Sequence, residues 1–122
     1  MNVPKLYMEE RVNINVSATN YDESSDGIRS ILANVEEMVH EENEFRITDS
    51  EFAFGWHFYV VSINRMLIQK LADQLGDDFQ KLKGKSLEKK FLKWFSQKIQ
   101  EKNVKAKLAI KEEMESSKYG IF

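Results

Sequence analysis

The stretch EFAFGWHFYVV, residues 51–61, places Phe52, Phe54, Trp56 and Phe58 on alternate positions, with Ala53, Gly55, His57 and Tyr59 between them. Side chains along a strand point to opposite faces with a period of two. Strict alternation of large and small therefore reads as a strand with one face in the core. Aromatic and β-branched richness over residues 52–61 favours the same reading. On it, Phe52, Phe54, Trp56 and Phe58 face helices, while Gly55, His57 and Tyr59 face away from them. A rival reading competes, because Thr48 followed by Glu51 has capping-box spacing and a helix could run from there to Leu75. A helix would scatter the large side chains around its circumference, so the strand is preferred.

Upstream, RVNINVSATN alternates Val12, Ile14, Val16 and Ala18 with Arg11, Asn13, Asn15 and Ser17, the pattern of a half-buried strand. NYDESSDG is turn chemistry, with Ser24 or Ser25 as the cap of a helix. That helix carries Ile28, Ile31, Leu32, Val35 and Met38/Val39 at helical spacing to about residue 42, with its glutamates largely off the stripe. EFRITDSEFAFGWHFYVV then reads as a hairpin, with TDSE (48–51) as its turn. Met66, Leu67, Leu71 and Leu75 form a helical set that Gly76 stops, and a short turn of helix is expected around Phe79 and Leu82. Ser86 caps a second long helix carrying Leu87, Phe91, Trp94/Phe95 and Ile99. Last, Val104, Ala106, Leu108 and Ile110 alternate with lysines, as suits an edge strand that must not pair further. Continuation of the preceding helix is the competing reading there.

The resulting order, β-α-β-β-α-α-β, is a ferredoxin-like (split βαβ) α+β pattern: a four-stranded antiparallel sheet with helices on one face. It is expected to occupy residues 1–122 as a single domain, with 112–122 as a C-terminal tail whose Tyr119, Ile121 and Phe122 dock on the body or on a neighbour. Such a fold hosts many functions and names none.

A chain of 122 residues buries roughly two-thirds of its unfolded surface. No stretch approaches the roughly 20 apolar residues that span a bilayer, and the N-terminal residues show no apolar signal core, so a cytoplasmic protein without membrane contact is expected. Zero cysteines exclude disulfides, zinc–thiolate sites and cysteine nucleophiles. The net charge of −2 conceals a division: residues 1–78 carry −9, residues 79–111 carry +9 from 11 lysines, and the tail carries −2. Attraction between such halves acts within a molecule or between subunits.

No catalytic or metal site is expected. Glu37 and His40 have the carboxylate–imidazole spacing of di-iron bundles, but one such pair supplies too few ligands. No nucleophile elbow, phosphate loop or dinucleotide fingerprint occurs, and no cofactor is implied. The open side of the sheet is the candidate site. There Asn13, Asn15, Gly55, His57 and Tyr59 are expected on central strands, flanked by Arg11 and Arg46 on one side and Lys105 and Lys107 on the other. Amides, stackable rings and cations suit a subunit or protein partner, or an anionic nucleotide-type ligand or single-stranded nucleic acid. Plain wet sheet is the bland alternative.

FGWHFY on the third strand resembles the aromatic signature of RNA-recognition motifs. It departs from that family where Phe52-Ala53 replaces the basic-Gly start and where the first strand offers Asn13 instead of an aromatic. No family assignment follows. The lysine-rich QKLKGKSLEKKFLKWFSQK contains no arginine, and its aromatics follow the apolar stripe; nucleic-acid binding there would be backbone-directed and salt-sensitive. The sequence thus leads to a small, self-associating, non-catalytic binding protein of inhibitor, immunity-factor or adaptor type. Ligand sequestration is the first alternative and a small enzyme of unspecified reaction the second.

Overall fold

Burial follows the apolar alternation of Arg11–Ala18, and this segment is strand β1: Val12, Ile14, Val16 and Ala18 are buried while the residues between them are half-exposed. The computed structural model describes residues 10–111, and the expectations for the 112–122 tail lie outside them. After β1 come α1 (Tyr21–Val39), β2 (Phe45–Ile47), β3 (Glu51–Ala53), β4 (Trp56–Asn64), α2 (Arg65–Leu75), α3 (Asp77–Gln80), α4 (Leu87–Glu101) and β5 (Lys107–Ile110). No helix among the described residues is long and apolar enough to cross a membrane.

The sheet is antiparallel and has five strands rather than the expected four. Its order is β2-β4-β1-β5, with β3 also pairing β4, so β2 and β3 share one edge. This is an α+β arrangement consistent with the ferredoxin-like order. The helices α1, α2 and α4 contact one another over one face of the sheet. Between the layers lies a core built on Ile14, Val16, Ile28, Leu32, Val61, Ile63, Leu67, Leu71, Phe91 and Phe95.

Residues 48–51 are not the hairpin turn. Ile47 pairs with Val61, and Thr48 donates its N–H to the Val60 carbonyl at 3.0 Å while its hydroxyl accepts from the Val60 N–H at 2.9 Å. Pairing resumes at Glu51, opposite Phe58. Three steps along the edge thus match two steps along β4, which is a β-bulge, and the extra residue reverses which face each following side chain takes. The turn is Phe54-Gly55, a two-residue loop between the paired Ala53 and Trp56, with φ of 55° and 82°. Two positive φ values in a two-residue hairpin loop are the type I′ geometry, whose twist matches that of the strands.

The rival helix from Thr48 to Leu75 does not form. β4 runs to Asn64, and α2 starts at the next residue because the Asn64 side chain caps it, accepting from the Met66 N–H at 3.0 Å. Ser86 caps α4 as expected, accepting from Lys89 N–H at 3.2 Å. The cap of α1 is Asn20, which accepts from Glu23 N–H at 2.9 Å, rather than Ser24 or Ser25. Those two serines lie inside the first turns, buried, with hydroxyls directed at the carbonyls of Tyr21 and Asp22. The last segment is strand, not helix: β5 pairs with β1, Ile14 opposite Ile110 and Ser17 opposite Lys107.

Candidate functional site

Register decides what the open face presents. Ser17 lies opposite Phe58, Asn15 opposite Val60 and Asn13 opposite Ser62. Directly opposed residues share a face. Even-numbered residues of β4 therefore join the odd-numbered, polar residues of β1 on the side away from the helices. Tyr59, Val61 and Ile63 join Val16, Ile14 and Val12 in the core. A shift of one residue would put Val61 and Ile63 on the same face as Asn13 and Asn15, exposing the first pair or burying the second, so β1 enforces the phase of β4.

The phase overturns the face expected for the aromatic stretch. Tyr59 is 3% exposed and faces the helices, whereas Phe58 is 42% exposed on the open side. Trp56 is half-buried beside Phe58 on that side, and Phe54 sits at the tip of the hairpin, 97% exposed. Phe52, 65% exposed, lies opposite His57 with ring centroids 4.8 Å apart, on the helix side but beyond the helices' cover. The alternation from 52 to 58 spans a turn, so it belongs to two antiparallel strands and not to one.

The expected site residues consequently separate. Arg11, Asn13 and Asn15 do lie on the open face, half-buried. Arg11 is engaged there, its guanidinium donating to Ser62 Oγ at 2.7 Å and to the Ser62 carbonyl at 2.9 Å. Arg46 is exposed on β2 opposite Ser62. Gly55 is the exposed second residue of the turn, not a mid-strand gap. His57 belongs to the helix-side rim, its Nδ1 3.1 Å from Ser50 Oγ and its ring 6.3 Å from that of Tyr21. Tyr59 is core: its hydroxyl lies 2.7 Å from Ser24 Oγ, and its ring meets Tyr21 edge-on at 5.0 Å. Burial raises the Tyr59 phenol pKa above its ordinary value; the Ser24 bond opposes this and Tyr21 adds to it. Lys105 lies ahead of β5, beside Thr19, Asn20 and Glu23 at the start of α1. Lys107 remains on the open face, its Nζ 5.2 Å from the Trp56 ring centroid.

What the structure brings together instead is an aromatic shelf. A groove of about 550 Å³ runs over Asn15, Ser17, Phe58 and Val60, with Asp49 and Glu51 on one wall and Lys107 on the other. A second hollow of about 230 Å³ continues it between Trp56, Phe58, Ser17 and Lys107. Alternation alone sends Phe54, Trp56 and Phe58 to the helix side, and turn chemistry places Glu51 in a turn at 48–51. The signal that finds Trp56 and Phe58 is the adjacent Tyr59-x-Val61-x-Ile63 run, whose intervening residues are Val60 and the polar Ser62.

Among the described residues, no three His, Cys, Asp or Glu side chains come together as metal ligands. His40 leaves the helix altogether, with φ of 59° at the C-cap of α1, so it does not continue the face that carries Glu37. No protein-family model, no curated protein and no solved structure matches the chain.

Proposed function

We propose that this chain is a small, self-associating, non-catalytic binding protein, of inhibitor, immunity-factor or adaptor type, that engages a protein partner through the β3–β4 hairpin and the open sheet face. Phe54 carries the reading. A phenyl ring almost wholly in water sits at a position with φ of 55°, where a bulky side chain is disfavoured and Asn or Gly is the usual occupant. Neither burial nor backbone geometry favours phenylalanine there, whereas aromatic anchors at interfaces do. Trp56 and Phe58 continue the apolar surface on the open side, and Phe52 is exposed on the helix side of the same hairpin.

The test separates stability from association. Phe54→Asn creates Asn-Gly, the preferred type I′ pair, so thermal stability is expected to hold or to rise by about 0.5–1 kcal/mol. Assembly measured by light scattering and native mass spectrometry is expected to weaken. A wild type that stays monomeric at every concentration, or a Phe54→Asn variant with unchanged assembly, refutes the proposal.

A nucleobase-stacking role is the second reading. Trp56 and Phe58 stand two residues apart on a central strand, with Asn15 and Lys107 beside them, an arrangement suited to stacked bases. Asp49 and Glu51 on the same groove disfavour a phosphate backbone, which places this reading second. Saturable quenching of tryptophan fluorescence by short oligonucleotides, lost in Phe58→Ala, would promote it.

A further inference from the structure

One row of side chains crosses the entire open face. Glu51 lies opposite Phe58, Phe58 opposite Ser17 and Ser17 opposite Lys107. Over the strand order β3-β4-β1-β5 the row therefore reads acid, large aromatic, small hydroxyl, base. Read backwards it is its own complement, in charge and in size.

We infer that the partner of this face is a second copy of the same chain, packed face to face about a two-fold axis that runs parallel to the strands between β4 and β1. The inference rests on the self-association reading above and specifies its geometry. Rotation about such an axis keeps each row at its own level and reverses its direction. Glu51 of one protomer then meets Lys107 of its partner at both ends of the row. Phe58 enters the space above the partner's Ser17, twice, filling the groove that Asn15, Ser17 and Phe58 line. Isologous contact of this kind uses one patch twice and closes at two subunits. Sheets packed face to face lie about 10 Å apart, a distance that interdigitating side chains of this size span. The same rotation sets each protruding hairpin over the edge of the partner sheet that carries Lys107, which gives Phe54 and Trp56 cover.

Within one chain Glu51 and Lys107 lie three strand spacings apart, roughly 14 Å between Cα atoms, and the Lys107 ammonium lies over Trp56 instead of beside Glu51. Charge reversal reads the coupling between them, and the mixture of single variants distinguishes coupling between molecules from coupling within one. Glu51→Lys sets lysine against lysine at both ends of the row, and Lys107→Glu sets glutamate against glutamate. Each variant is expected to raise the dimer dissociation constant about 10-fold or more. The double variant restores the pairing in reverse. An equimolar mixture of the two single variants is expected to form the mixed dimer, because each supplies the charges the other lacks.

Sedimentation or light scattering over a concentration series reads all five samples, with circular dichroism checking that each is folded. Carbodiimide coupling of the wild type provides a readout that needs no variant: a Glu51–Lys107 peptide pair in the dimer band is expected. Single variants that dimerise like wild type, or a double variant and mixture that fail to recover, or a dimer band without that pair, each overturn the two-fold row. If Phe54→Asn still abolishes assembly in those cases, self-association stands and its interface lies elsewhere. A monomeric wild type removes both.

Discussion

The Tyr59 hydroxyl and Ser24 Oγ, 2.7 Å apart, join the central strand β4 to the first turn of α1 inside the core. The phenol is held above its ordinary value of 10.0 chiefly because burial penalises the phenolate. The unfolded chain ionises at the ordinary value, so above pH 10 the unfolded state binds fewer protons than the folded one. The contribution is fully present below pH 10 and is lost as pH rises through the folded pKa. Tyr59→Phe is expected to cost about 1 kcal/mol at neutral pH, the net worth of a buried hydrogen bond. In urea melts across pH 9–11.5, its stability is also expected to decline less steeply than that of wild type. Equal alkaline slopes would place the titration elsewhere. The sequence makes Tyr59 a binding residue because it stands in an aromatic run; its role as a core hydroxyl depends on Ser24, 35 residues earlier, and on no local signal.

Among the elements, α1 contains a glycine in its interior that helix propensity alone disfavours by about 1 kcal/mol relative to alanine. Gly27 is there because the segment linking α4 to β5 crosses it: a Cβ at this position would overlap Val104 Cγ2. Val104 is β-branched and held by its own N–H bond to the Ile99 carbonyl at 2.8 Å, so it gives way poorly. Gly27→Ala is therefore expected to destabilise by about 1–3 kcal/mol, as overpacking does, instead of gaining the propensity difference. A melting temperature at or above that of wild type would show that Val104 moves freely. At the start of α2, Asn64 is similarly committed. It caps the helix through Oδ1 and donates Nδ2 to the buried Glu44 carboxylate at 3.0 Å, while its own N–H bonds the Glu44 carbonyl at 2.8 Å. Glu44 in turn donates its N–H to Glu36 Oε2 at 2.7 Å, so the end of α1, the start of β2 and the β4–α2 junction meet at two buried polar residues.

Across the whole molecule, protection should follow the sheet. β1 and β4 are paired on both sides and carry Ile14, Val61 and Ile63 with no exposed surface. The hairpin end, β3 with Phe54-Gly55, pairs only with β4 and projects past the helices. Hydrogen exchange of dilute protein is expected to be slowest in β1 and the Tyr59–Ile63 part of β4, and fast from Glu51 to Trp56. Raising the protein concentration should slow the hairpin selectively if the proposed assembly covers it. Fast exchange in β1 would contradict the sheet order, and a hairpin indifferent to concentration would contradict its part in association. An ion pair crosses the charge division, between a cation of the acidic half and an anion of the basic half: Arg65 pairs with Glu88, joining the start of α2 to the start of α4.

Wherever a segment's partner is solvent on one side and core on the other, its own pattern was sufficient. β1, the stripes of α1, α2 and α4, the Gly76 stop, the Ser86 cap and the final strand are all legible in the sequence, since burial of an apolar face at a fixed period is a local requirement. The α+β order follows from them. Residues 48–58 are different. Here the sequence offers large side chains on alternate positions, but a bulge at 48–51 and a turn at Phe54-Gly55 each reset the phase. Both are settled by pairing with β4, and the phase of β4 is settled by β1, whose asparagines cannot be buried unpaired without cost. Which aromatic ring is core and which is surface is thus a property of strands distant in the chain, and only the tertiary structure decides it.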